Sequence, residues 1–149
     1  MIRRHASRPV RALAAACLVA LAAAGCGGEG GDHGTQVSKV QGKYRDSITP
    51  EVTSGAALLA TDPSGAQMRL AHAAADAHRL AEEIAALQPP AGKKGQAVRL
   101  ANAYRSLAAS LDALAGATRT ADAGSLQTIL AQLRKAQADE QGAVTALNG

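Results

Sequence analysis

Phenylalanine and tryptophan are absent from this chain, and tyrosine and cysteine occur only twice each. No run of β-branched or aromatic residues alternates at period two, so nothing predicts a strand. Long hydrophobic runs are missing as well. The apolar stretch at 12–24 has thirteen residues, short of the ~20 a helix needs to cross a bilayer core, which excludes a multi-span membrane protein. Cysteine is too scarce for a disulfide framework, since Cys17 lies inside that apolar stretch and Cys26 would remain alone once it is removed. What abounds is alanine, 37 of 149 residues, with a mean hydropathy of −0.05. The length suits one domain, and the composition is not that of a charged disordered chain.

The first eleven residues carry Arg3, Arg4, Arg8 and Arg11 and no acid, which accounts for the whole net charge of +4. Without residues 1–25 the chain has 12 basic and 12 acidic side chains. The remaining bases are scattered and form no single stripe, so nucleic acid is not an expected partner.

Basic residues 1–11, the apolar run 12–24 and the small residues leading to Cys26 have the three-part layout of an export signal. Leu21-Ala22-Ala23-Ala24-Gly25-Cys26-Gly27-Gly28 resembles the lipobox of bacterial lipoproteins. The resemblance covers about the first 30 residues, and it departs from the favoured pattern in having Ala23 where leucine is usual. It implies that the signal is cut before Cys26, whose thiol receives a diacylglyceryl group, with palmitate-type acyl chains in the membrane. Two or more such chains hold a protein stably at about 0.8 kcal/mol per buried methylene. An ordinary cleavable signal with a secreted product is the alternative, because Ala22-Ala23-Ala24 also suits the ordinary peptidase. Arg3-Arg4 is followed by His5-Ala6-Ser7, which does not continue a twin-arginine pattern.

Downstream, residues 26–34 read as the lipidated cysteine and a flexible glycine-rich tether, and 35–149 as a helical domain. Leu70, Ala73, Ala77, Leu80, Ile84 and Leu87 alternate by three and four over Gln67–Gln88, which predicts a helix ended by Pro89-Pro90. The same alternation returns at Ala97, Leu100, Tyr104, Leu107, Leu111 and Leu114, and a third stretch carries Leu126, Leu130, Leu133, Val144 and Leu147. In that last seam Gln137 and Glu140 interrupt, so either the stripe shifts to Ala136 and Ala143 or these polar groups meet partners. Val37, Val40, Tyr44 and Ile48, then Val52, Ala56 and Leu59, predict a first helix that Pro50 kinks or splits, with Thr49 as an N-cap. Asp62-Pro63-Ser64-Gly65 and Thr120–Ser125 read as turns. Short connections between long helices predict an all-α, up-down-up-down four-helix bundle. Alanine stabilises it through helix propensity and close helix approach.

Chemistry-bearing residues are few. His72 with Asp76, His78 with Glu82 and Arg79 with Glu83 are spaced to meet as surface pairs on a helix face, but two histidines six apart point to different faces, so no metal site is expected. Haem attachment lacks a Cys-x-x-Cys-His run, no serine lies in a Gly-x-Ser-x-Gly setting, and no phosphate-cradling glycine motif is present. No catalytic residue and no cofactor is therefore expected. Lys93 and Lys94 form a basic loop that touches anionic lipid or wall polymer, or is simply solvated. The sequence thus predicts a non-enzymatic structural or interaction module, lipid-anchored through Cys26 to the outer face of the cell membrane or facing a periplasm. An envelope protein or wall polymer would be its partner. The mature part is similar in composition to Ala/Leu-rich helical lipoproteins of GC-rich, actinobacterium-like genomes. The alternative is a bundle that binds a small ligand or metal in a cavity lined by Tyr44, Tyr104, Gln137 and Glu140.

Overall fold

The structure is a computed structural model that describes residues 32–118 and 123–148. These fold into four helices with no strand among the described residues: α1 (Asp32–Leu58), α2 (Pro63–Ala86), α3 (Lys94–Ala117) and α4 (Ala123–Asn148). The fold class is therefore all-α, a helical bundle. No described helix is long and apolar enough to cross a membrane. Cys26, the signal segment and the tether up to Gly31 lie outside the described residues.

Helix α1 starts at Asp32, so Asp32, His33 and Gly34 belong to its first turn. It also runs unbroken through Pro50. Proline lacks the N–H that would bond the Asp46 carbonyl, but Tyr44, Ile48 and Val52 keep the four-residue spacing across it and are all buried. Tertiary burial on both sides of the proline thus outweighs one missing backbone bond. Thr49 is interior to the helix and does not cap it. Its carbonyl accepts from the Thr53 hydroxyl at 2.8 Å.

Helix α2 begins earlier than its apolar stripe. Asp62 accepts from the Gly65 N–H at 2.9 Å, and Pro63 occupies the first helical position, where its missing N–H costs nothing. Asp62-Pro63-Ser64-Gly65 is therefore a helix start as well as a turn. At the other end Leu87 leaves helical geometry before Pro89-Pro90. Gly92, at φ +84°, supplies the left-handed residue that redirects the chain into α3.

Backbone packing follows chain order: α1 lies on α2, α2 on α3 and α3 on α4, with no other pair packed comparably among the described residues. The two inner helices consequently bury the widest faces. In α2 that face comprises Leu70, Ala73, Ala74, Ala77, Leu80, Ala81 and Ile84, and α3 buries eleven residues from Ala97 to Ala115. Ile48, Leu70, Ile84, Leu100 and Leu111 are the large side chains at the centre, while the alanines let the axes approach. Gly55 marks one such close approach, since a Cβ there would sit 2.9 Å from Leu70 Cγ.

Pairs of polar side chains join neighbouring helices. Between α1 and α2 these are Lys43 and Tyr44 with Glu83, Ser47 with Asp76, and Glu51 with Arg69, so numbers rise along one helix as they fall along the other. His78 on α2 meets Asp112 on α3 at 3.1 Å, and Lys93 at the start of α3 donates to the Leu147 carbonyl of α4 at 3.1 Å.

Candidate functional site

The two polar residues that interrupt the α4 seam are both buried, Gln137 at 8% exposure and Glu140 at 7%. Ala136 and Ala143 are buried beside them, so both outcomes expected of this seam occur together: the stripe shifts onto alanine, and the polar groups find partners. Tyr104 of α3 donates its hydroxyl proton to Glu140 Oε1 at 2.7 Å. The Tyr104 hydroxyl oxygen in turn accepts from Gln41 Nε2 of α1 at 2.8 Å. A line of three side chains thus links the two outermost helices through an inner one.

Burial governs the acid–base behaviour of this line. It pushes the Glu140 carboxyl above the usual range, and the Tyr104 hydrogen bond offsets that only in part. It also pushes the Tyr104 phenol far above its ordinary value, reinforced by the neighbouring Glu140 charge and the bond to it. A phenol held this way does not release its proton near neutrality. Its hydroxyl serves as donor and acceptor at once, and the arrangement is that of a structural tie across three helices.

Tyr44 occupies an equivalent place in the outer seam. Its ring is buried at 6% exposure and its hydroxyl donates to Glu83 Oε1. Lys43 Nζ reaches the same carboxylate oxygen at 2.6 Å and lies 4.7 Å from the Tyr44 ring centroid. Hydrogen bonds from Lys43 and then Tyr44 lower the Glu83 carboxyl, while the bond to Glu83 and then burial raise the Tyr44 phenol.

The four residues that the sequence placed around one cavity are all buried, Tyr44 and Tyr104 within one core. Tyr104 and Glu140 bond directly, Tyr44 belongs to the α1–α2 seam, and Gln137 is buried nearby on α4. A groove of about 400 Å³ runs between α3 and α4 along Arg99, Asn102, Ser106, Asp139 and Gly142.

The histidine pairings expected along α2 give way to contacts between helices. Asp76 takes the Ser47 hydroxyl and the Arg79 guanidinium, the latter at 3.0 Å. His78 turns to Asp112 rather than Glu82, and Glu83 is held by Lys43 and Tyr44 in place of Arg79. His72 borders a groove with Asp46, Glu51, Asp76 and Arg79. Among the described residues no group of three or more His, Cys, Asp or Glu is placed to hold a metal ion.

Sequence reasoning missed Gln41, Ser47 and His33. Gln41 had a readable signal, because it lies four residues after Val37 and three before Tyr44, squarely on the apolar stripe. His33 is 8% exposed, and neither ring nitrogen finds a partner among the described residues. Cys26 lies outside them. Compared with family profiles, characterised proteins and solved structures, the chain matches none.

Proposed function

We propose that this chain is an exported lipoprotein, cut before Cys26 and held by acyl chains on that residue at the outer face of the cell membrane or facing a periplasm. Its domain acts as a non-enzymatic structural or protein-interaction module. The bundle is up-down-up-down, with α1 bending at Pro50, and it meets an envelope protein or wall polymer through a helix face. One observation carries the reading: the basic, apolar and small-residue segments end at Gly25-Cys26 and are followed at once by glycine.

The Gln41–Tyr104–Glu140 line supports the structural half of the proposal. The Tyr104 hydroxyl donates to Glu140 and accepts from Gln41, so both of its roles are taken up within the bundle. The numbering of the α1–α2 side-chain pairs and the Lys93–Leu147 contact support the antiparallel order. Detergent phase partitioning of the protein made in its own host is the test. Wild type enters the detergent phase and Cys26→Ser stays in the aqueous phase; a wild type found wholly in the aqueous phase overturns the anchor.

A further inference from the structure

Among the described residues, α4 contributes little apolar surface to the core. Leu133 is its one large buried apolar side chain, beside Ala136 and Ala143, while Ile129, Val144 and Leu147 are only partly covered. Helix α2 by contrast buries Leu70, Leu80 and Ile84, and α3 buries Leu100, Leu107, Leu111 and Leu114. The five large side chains at the centre, Ile48, Leu70, Ile84, Leu100 and Leu111, all come from α1, α2 and α3. Helix α3 is the one neighbour on which α4 packs extensively. A small unfavourable change in that seam therefore acts on α4 before it acts on the rest.

Into this thin seam α4 places the Glu140 carboxyl, which accepts from Tyr104 at 2.7 Å. Among the described residues no cation pairs with it. An ionised carboxylate held out of water by one donor and no counter-charge opposes docking, whereas the protonated group keeps its acceptor oxygen and carries no charge. The surrounding groups do not share this role. Tyr104 of α3 keeps its proton across the neutral range. Arg99 of α3 lines the neighbouring groove with Asp139, which Lys135 holds, and Lys93 bonds the Leu147 carbonyl. From α1 comes the uncharged Gln41. His33, about two turns earlier on α1, is also buried, and charging it would loosen the bundle toward acid, the opposite sense.

We propose that Glu140 is a proton-operated latch: α4 stays docked on α3 while the carboxyl is protonated, and loss of the proton raises the population in which α4 has left α3 as a unit. The inference is independent of the lipoprotein reading. Once α4 leaves, the carboxylate returns to water and α1, α2 and α3 keep their common core. One proton is linked to one opening event, so the opening constant rises by up to about tenfold per pH unit between the carboxyl's ordinary range and its value in the docked state.

Amide hydrogen exchange of the full chain, resolved by segment and followed from about pH 4 to about pH 8 with the intrinsic rate divided out, tests the latch. Protection of 129–143 in α4 is expected to fall relative to 70–84 in α2 as pH rises, by up to about tenfold per unit over part of that range. Glu140→Gln, which stays neutral and keeps an acceptor for Tyr104, is expected to remove that slope. Parallel loss in both segments is global unfolding and overturns the inference. So does protection of α4 that is independent of pH or falls toward acid, or a Glu140→Gln variant that keeps the wild-type slope. The comparison of the two segments lies within the wild type, so it decides the inference even where the variant fails to fold.

Discussion

Removing one oxygen atom, by Tyr104→Phe, tests the claim that the centre of the bundle is held by a polar tie. The ring is 2% exposed, and its hydroxyl meets Glu140 at 2.7 Å and Gln41 at 2.8 Å. Phenylalanine keeps the apolar contacts, so the change isolates the hydrogen bonds. A bond to a charged group contributes about 1.5–3 kcal/mol, and its loss leaves the buried Glu140 carboxylate without the donor that Tyr104 supplies. Gln41 is only half-buried and can turn to water, so its share is at the low end of the neutral range, about 0.5 kcal/mol. The expected cost is thus about 2–3.5 kcal/mol at neutral pH, read from urea denaturation followed by far-ultraviolet circular dichroism. In a Glu140→Gln background the buried acceptor is a neutral amide, and the same substitution costs about 1 kcal/mol. A cost below about 0.5 kcal/mol, or an equal cost in both backgrounds, refutes the reasoning.

Other perturbations follow from the same contacts. Because burial raises the Glu140 carboxyl in the folded state, that state binds the proton more tightly than the unfolded chain. Stability is therefore lost as pH rises from the ordinary carboxylate range through the raised value. Glu140→Gln, which keeps an acceptor for Tyr104, stabilises the protein at neutral pH, and the advantage shrinks toward acid; thermal melts of both proteins across pH check the sign. Gly55→Ala forces a Cβ to 2.9 Å from Leu70 Cγ and costs about 1–3 kcal/mol, whereas Gly42→Ala, with nothing within 4 Å, stabilises by about 0.5–1 kcal/mol. Denaturant midpoints of the two variants should move in opposite directions. Gly92→Ala places a side chain at φ +84° and lowers stability by about 1–2 kcal/mol in the same assay.

Much of the helical architecture is legible in the sequence because apolar spacing and helix burial obey one geometry. Leu70, Ala73, Ala77, Leu80 and Ile84 are read as a stripe and are all buried, as are Leu100, Tyr104, Leu107, Leu111 and Leu114. The helix starts are less legible. Asp62 reads equally as a turn residue and as a cap, and only its bond to the Gly65 N–H decides. Pro50 is ambiguous for a related reason: propensity opposes a continuous α1, and burial of Ile48 and Val52 on either side outweighs it.

For the polar centre, periodicity locates three of the four groups and misses the connection. Gln137 and Glu140 stand out as interruptions, and Tyr104 lies on its stripe. That Glu140 bonds Tyr104, and that Gln41 completes the line, depends on the rotation of three helices about their axes, which a stripe defines only to within a side chain's width. The α2 ion pairs fail for the opposite reason. Spacing of three or four permits contact within a helix, but Ser47, Lys43 and Tyr44 of α1 offer Asp76 and Glu83 better-placed donors. Asp76, His78 and Glu83 each take a partner from a neighbouring helix, and Asp76 also keeps Arg79 of its own helix.

The central claim is that Cys26 begins the mature chain and carries the lipid. Intact mass of the protein purified from its own host tests it most directly. The expected result is a chain that starts at Cys26 with the added mass of a diacylglyceryl group, alone or with a further acyl chain. In the Cys26→Ser variant that added mass is absent. A wild-type chain that starts elsewhere, or that starts at Cys26 with the mass of the bare polypeptide, contradicts the claim.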